Sequence, residues 1–380
     1  MSESKDIAPE ISIRARLPAI DAMRGIVMVL MALDHASHAF NAGRYVTDST
    51  IWYRPGSEIP AAQFLTRWVT HLCAPTFLFL AGFVLALSVT RRQARGDREG
   101  RIDRDILLRG IFIFLLDPFW MSLGFGGNII FQVLYAIGAG FCCMVPLRRL
   151  GIGKLLVIAL GLFLFGEALA RLAVWAGGGQ QPGPAGALLI TGLRSVSRVF
   201  VLYPLLPWLA YMILGWVCGT HMLRNNAFRP IQFFSLAAAV SLSVFFIARG
   251  LNRYGNMLLY RYDNPILQWL HVSKYPPGLS FAALELGLMF LILALLFAWY
   301  RYRQSSAANP LLVFGRTPLF FYVIHVHLLA AASRVLHMHQ AGGLFETYIA
   351  TAAALVVLYP LCRWYGHIKQ ARPGILLRYL

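Results

Sequence analysis

Charge is what this chain has least of. Only 13% of its 380 residues are Asp, Glu, Lys or Arg, well below the roughly 25% usual in a soluble domain. That shortage excludes an ordinary water-soluble globule. The apolar–polar alternation of a lipid-facing barrel is also missing. The five cysteines, Cys73, Cys142, Cys143, Cys218 and Cys362, all lie in or at the ends of apolar segments. No spacing among them forms a zinc site or a disulfide framework, so they read as packing residues. No histidine spacing is compelling for a metal, and none is expected. No continuous apolar core near Met1 marks a cleavable signal peptide. With no internal repeat and no domain boundary, residues 1–380 read as one domain, with an arm over 1–19 and a tail over 366–380.

What is abundant is apolar sequence. Hydrophobic residues make up 58% of the chain, and its mean hydropathy is +0.62. Apolar runs of about 20 residues recur, each long enough to cross ~30 Å of hydrocarbon as a helix. The spans begin with Ile20–Phe40, Phe64–Val89, Ile106–Leu123 and Ile129–Leu147. Lys154–Ala176, Leu202–Leu223, Ile231–Ala248, Phe281–Tyr300, Pro310–Arg334 and Tyr348–Tyr365 follow. The expectation is an all-α polytopic membrane bundle of about ten transmembrane helices. The residues Gly124–Asn128 leave room for a tight helical hairpin, and Gly177–Gly186 is a Gly/Pro-rich loop.

The formal net charge of +18 would suggest nucleic acid in a soluble protein. Here the basic residues sit mainly in short loops, as a topology signal does, so no nucleic-acid partner is expected. Ten crossings return both termini to one side. That side carries Lys5, Arg14 and Arg16, the loop RRQARGDREGRIDRD from Arg91, and the tail with Lys369, Arg372 and Arg378. The N- and C-termini are therefore read as cytoplasmic, although Arg249, Arg253, Arg261 and Lys274 in a long outer loop oppose this.

Ionisable groups at membrane depth usually face a bundle interior or an aqueous cavity and mark function. The first helix holds Asp21, Arg24, Asp34, His35 and His38. Arg24 and His35 fall within about 20° of one face, with the imidazole ~16 Å along the axis. Asp34 can approach His38 at the i, i+4 spacing or orient an imidazole on another helix. Counting along the other spans brings Arg67, His71, Asp117, Gln132, Glu167, Glu285, His325 and His327 to a similar layer. Such a layer suits a buried reaction chamber. A proton-coupled transporter would also use chains of Asp, Glu and His, and a scaffold with an inactive fold is a third reading. Single histidines such as His38 and His327 also serve interhelical hydrogen bonding. Asp117 fits a broken helix before Pro118, and Glu167 fits an arginine pair.

Asp21-Ala-Met-Arg24, followed after ten intervening residues by His35, resembles the first-helix signature of the transmembrane acyltransferase superfamily. The closer resemblance is to bacterial relatives of the heparan-α-glucosaminide N-acetyltransferase catalytic domain. It is carried by MRGIVMVLMALDHASHAF, FLTRWVTHLCAPTFLFLAGFVLAL, FQVLYAIGAG, LYPLLPWLAYMILGWVCG, FGRTPLFFYVIHVHLL and YPLCRWYGHIKQ, in that order along nearly the whole chain. The resemblance implies acyl transfer, with acetyl the expected group, from cytoplasmic acetyl-CoA or another acyl-CoA to a glycan or amino-sugar acceptor beyond the bacterial inner membrane. His35 matches the superfamily's first-helix histidine and Arg24 its accompanying arginine. The human lysosomal branch has an asparagine in place of His35. Its proposed histidine precedes the second helix, where this chain has Asp48, Arg54 and Glu58. His71 aligns with an acidic residue there.

Imidazole titrates in the range a general base needs. His35, Asp34 and His71 are the catalytic candidates. Arg24, Arg109 and Arg316 suit CoA phosphates through charge-assisted hydrogen bonds. Asp48, Arg67, Gln132 and His325 are the candidates on the acceptor side. The lipid bilayer is the remaining partner, and a homodimer is left open.

Overall fold

The computed structural model describes residues 17–371, except 125–127, 180, 193–194, 197–198 and 264. The arm before residue 17, the tail beyond residue 371 and the centre of the Gly124–Asn128 hairpin lie outside the described residues.

Helix α1 (Pro18–Phe40) opens with a proline in its first turn and ends where Asn41 N donates to Ser37 O. The chain then forms α2 (Ala61–Val69), α3 (Cys73–Ala94), α4 (Glu99–Leu116) and the single turn α5 (Ser122–Gly124). After α6 (Val133–Leu147) and α7 (Ile152–Ala176) come the short α8 (Pro184–Gly186), then α9 (Leu205–Arg224) and α10 (Pro230–Leu251). The last part holds α11 (Ile266–Leu270), α12 (Leu279–Tyr302), α13 (Pro310–Arg316), α14 (Pro318–Val335) and α15 (Leu344–Ala371). Eight helices, counting α2–α3 and α4–α5 as continuous, are long and apolar enough to cross a membrane. α1, at 23 residues, and the shorter apolar α6 pack with them. The fold is an all-α polytopic helical bundle.

Burial separates the helices into two classes. α1, α3, α9 and α12 are mostly enclosed, whereas α7, α10 and α15 present one apolar side outward. Val157, Phe165, Leu236, Ile247 and Val356 are each more than half exposed. In water such a belt would be an aggregation surface; against acyl chains it is solvated. α1 runs through the middle, touching α3, α12, α13, α14 and α15. Its start is locked to α13 because Gly25 and Gly315 bring the two backbones together. A methyl at either would enter the other helix's main chain. Its end is tied to the α14–α15 loop, where Gly342 N donates to Phe40 O at 2.8 Å. α15 then returns, so that Tyr365 stacks on Phe320 near the start of α14. The first and last described helices thus begin and end on one face.

Prolines explain where the helices depart from the expected spans. Pro75 removes the amide that would bond His71 O, and residues Thr70–Leu72 tighten into a 3₁₀ turn. Pro118 does the same at Asp117–Met121, which widens into a π-helical turn. The span expected over Pro310–Arg334 is broken at Thr317, before Pro318. The span expected from Ile129 instead starts at Val133. Ile129–Phe131 forms β1, pairing parallel with β3 (Val199–Val201), which also pairs antiparallel with β2 (Ser195–Val196). Asp117, fully buried, accepts from Gln132 N at 2.8 Å and Tyr135 N at 2.7 Å, satisfying amides at the start of α6.

Candidate active site

Among the described residues, two adjoining cavities stand out inside the bundle. The larger, about 540 Å³, is lined by Asp34, His35 and His38 of α1, Arg67 of α2, Gln132 ahead of α6, and loop residues that include Asp48 and Lys274. The smaller, about 220 Å³, is lined by Arg24, Arg109 and apolar side chains such as Leu80, Val84, Ile137 and Leu319. Phe77, Val133 and Tyr322 border both. They form a waist where one space abuts the other. The face shared by Arg24 and His35 on α1 therefore serves both cavities.

The floor of the larger chamber is an ion network centred on Arg67, which is only 7% exposed. Its Nε and Nη2 donate to Asp48 Oδ2 at 3.1 and 2.8 Å, and its Nη1 donates to Asp34 Oδ1 at 2.5 Å. Arg44 Nη2 donates to the same Asp34 oxygen at 2.9 Å, and its Nη1 lies 2.7 Å from His38 Nδ1. Asp34 and His38 are thus joined through Arg44. Two carboxylates this deep are tolerable because charge-assisted, partly bidentate donors surround them. Burial alone would raise the Asp48 pKa, but Arg67, then the His71 hydrogen bond, outweigh it and hold the carboxyl well below its usual range.

The histidines divide into two environments. His325, fully buried, donates through Nδ1 to Phe321 O at 2.9 Å. A neutral imidazole bonded that way keeps its lone pair on Nε2. That atom is 2.7 Å from His35 Nδ1, so His35 Nδ1–H is the donor and the His35 lone pair is left on Nε2. His71 is 1% exposed and lies behind Asp48, to which its Nε2–H donates at 3.1 Å. It does not line the chamber.

A roof of two loops closes over this network. Ser49 Oγ donates to Tyr275 O at 2.6 Å, His271 Nε2–H to Thr47 O at 2.6 Å, and Gln268 Nε2–H to Tyr53 Oη at 2.9 Å. The second loop is gathered by Arg249, which donates to Asn256 Oδ1 and to the carbonyls of Leu259, Gln268, Trp269 and His271. Glu167 accepts from the amides of Gly255 and Met257 at 2.8 and 2.9 Å, besides pairing with Arg171.

The structure therefore gathers Asp34, His35, Asp48, Arg67 and Gln132 at one chamber, with His325 supporting it from behind. Arg24 and Arg109 line the second cavity. Arg316 does not; its Nε is 3.6 Å from Asp21 Oδ2, beside the Arg24–Asp21 pair at 3.4 Å. Arg44, Lys274, Tyr203, Tyr275 and Tyr322 line the chamber without having been expected there. All but Tyr322 sit outside the helices, where periodicity gives no signal. Among the described residues no group of three or more His, Cys, Asp or Glu is arranged to hold a metal ion.

A protein-family model described as heparan-alpha-glucosaminide N-acetyltransferase, catalytic, matches residues 16–251. The match runs from the start of α1 to the end of α10. It contains His35, Asp48, Arg67 and Arg109, while Lys274 and His325 lie beyond it. No curated protein matches the chain.

Proposed function

The chain belongs to the heparan-alpha-glucosaminide N-acetyltransferase catalytic family, and on that premise we propose a specific reaction for this membrane-embedded, acetyltransferase-like protein. It moves an acetyl group from acetyl-CoA, entering on the cytoplasmic side, to a hydroxyl or amine of a sugar or glycan acceptor on the far side of the bacterial inner membrane. The observation that carries the reading is the waist of Phe77, Val133 and Tyr322 shared by two cavities that differ in their charged residues. One is apolar and bears two guanidinium groups, which fits a pantetheine arm and its phosphates. The other is bordered by carboxylates and imidazoles as well as cations, and is roomy enough for a sugar.

His35 is the base in this reading. Its Nε2 carries the lone pair because the chain Phe321 O, His325, His35 fixes both tautomers. Bound acetyl-CoA supplies the acetyl thioester. His35 Nε2 takes the proton of the acceptor as its oxygen or nitrogen bonds to the carbonyl carbon. The carbon–sulfur bond breaks, and the imidazolium returns the proton to the departing thiolate. Asp34 contributes by holding Arg44 and Arg67 in place, and Asp48 with Gln132 borders the acceptor. Arg24 and Arg109 bind the donor.

Release of free CoA thiol by purified protein in detergent, with a panel of sugar acceptors, tests the proposal. His35→Ala should lower turnover ~10²–10⁴-fold while acetyl-CoA still binds. His71→Ala should chiefly destabilise the fold, because Asp48 loses a buried donor. Normal turnover by His35→Ala alongside a dead His71→Ala or Asp48→Ala would reject His35 as the base. Proton-driven substrate uptake without CoA would reject the enzyme reading altogether.

A further inference from the structure

The chamber holds more positive than negative charge. Arg44, Arg67 and Lys274 line it, against Asp34 and Asp48. Both carboxylates are already committed: Asp48 to Arg67, and Asp34 to Arg67 and Arg44. Lys274 is 2% exposed, yet among the described residues it forms no ion pair within 4.0 Å. Its Nζ lies over the face of the Tyr275 ring, 5.4 Å from the centroid. Glu285, the remaining carboxylate that feels it, does not line the chamber. Buried ammonium groups are normally paired. Here the backbone of Lys274 is also fixed, since its amide donates to Asp48 O at 2.9 Å. The side chain is therefore delivered to the cavity from an anchored loop.

We propose that Lys274 is an anion-binding anchor in this chamber, and that the acceptor sugar carries a carboxylate or a phosphate which pairs with it. The inference rests on the acyltransferase reading and narrows its acceptor class. An acceptor bearing only a fixed ammonium would meet a surplus of like charge. One with a neutral nucleophile at His35 and an anion at Lys274 would complete the pairing that the fold leaves open. The roof explains how this anchor reaches the site: Asp48, Thr47 and Lys274 come from two loops that are hydrogen-bonded to one another.

The test is equilibrium binding without turnover, in detergent at constant ionic strength and without acetyl-CoA. The probes are glucose, glucuronate and glucose 6-phosphate. At least one anionic sugar should bind ~10–100-fold tighter than glucose, the range for a charge-assisted contact. Which of the two binds distinguishes carboxylate from phosphate. Lys274→Met should abolish the preference and Lys274→Arg should retain it. Equal binding of all three probes overturns the proposal. So does an undiminished preference in Lys274→Met. Should Lys274→Met fail to fold, the wild type's preference and its loss between about 0.05 and 0.5 M salt decide the matter. Because no acetyl transfer is measured, a negative result here is separable from failure of the thiol-release assay.

Discussion

His35 Nδ1 and His325 Nε2 lie 2.7 Å apart, although 290 residues separate them in sequence. Their rings stack at 4.9 Å between centroids, inclined by 21°. His325 has no room for a second choice of tautomer, because Phe321 O occupies its Nδ1–H. It does not line the chamber itself and reaches it through His35 and through its ring contact with Tyr322. In the proposed reaction, the positioning role usually given to a carboxylate falls to a neutral imidazole that is itself oriented by a helix carbonyl.

His325→Leu should therefore lower kcat roughly tenfold to a hundredfold, less than loss of the base itself, with KM for acetyl-CoA unchanged. His325→Gln, whose carbonyl can still accept from His35 Nδ1–H, should recover part of that loss. The double variant with His35→Ala should be no slower than His35→Ala alone, since the two act as a unit. A merely structural His325 would give additive losses and no rescue by glutamine. Steady-state thiol release measures all four enzymes.

The two arginines of the smaller cavity differ from the third sequence candidate. Arg109→Ala should weaken acetyl-CoA binding by roughly 1.5–3 kcal/mol and leave the fold intact. Arg316→Ala should leave the affinity near wild type, because Arg316 faces Asp21 and not the cavity. Arg24→Ala should do both kinds of damage. It removes a cavity cation and also the 3.0 Å bond to Gly315 O that holds α1 to α13. Isothermal titration with acetyl-CoA, paired with thermal melts, separates these outcomes. Equal effects of Arg109→Ala and Arg316→Ala would remove the second cavity from the donor path.

The helical bundle was legible because runs of about 20 apolar residues admit few other readings. The walls of the two cavities were legible for a related reason: Arg24, Asp34, His35 and Arg67 sit on helices whose pitch can be counted. Counting failed where the pitch changed. His71 lies in the 3₁₀ turn before Pro75, which rotates it away from the chamber and behind Asp48. Arg316 ends a helix that stops at Thr317 and faces Asp21, so it does not reach the second cavity. Ile129–Phe131 reads as apolar whether helical or extended, and only its pairing with Val199–Val201 decides. Arg44 and Lys274 were missed because loop closure, and not periodicity, brings them to the chamber.

The direction of transfer rests on orientation, which labelling can test. On a background lacking the five cysteines, Arg95→Cys marks the basic turn between α3 and α4, and Ile51→Cys marks the roof; both positions are exposed. Ser49 would be a poor probe, since it is fully buried and bonded to Tyr275 O. In intact cells an impermeant maleimide should label Ile51→Cys and spare Arg95→Cys, as the positive-inside rule requires. The reverse pattern would put the acceptor chamber on the cytoplasmic face.

The roof should loosen in mild acid, and His271 is the reason. Its Nε2–H donates to Thr47 O, and burial, the largest influence, lowers its pKa from 6.5 to about 4. Above pH 6.5 neither the folded nor the unfolded chain protonates it, so it adds no pH dependence there. As pH falls below 6.5, the unfolded chain takes up a proton that the folded chain refuses, and stability declines. The decline ends near pH 4, where the folded state also protonates; the whole loss is on the order of 3 kcal/mol. Asp48 does not share this window. Its carboxyl is held low, so its contribution is full above the ordinary carboxylate range and declines as pH falls through that range toward the folded value. Hydrogen exchange of residues 41–53, corrected for intrinsic rates, should therefore show protection falling between pH 7 and 5 in the wild type. His271→Gln keeps a donor for Thr47 O and cannot acquire charge, so its protection should stay nearly flat. An unchanged slope in that variant would assign the loosening to another group.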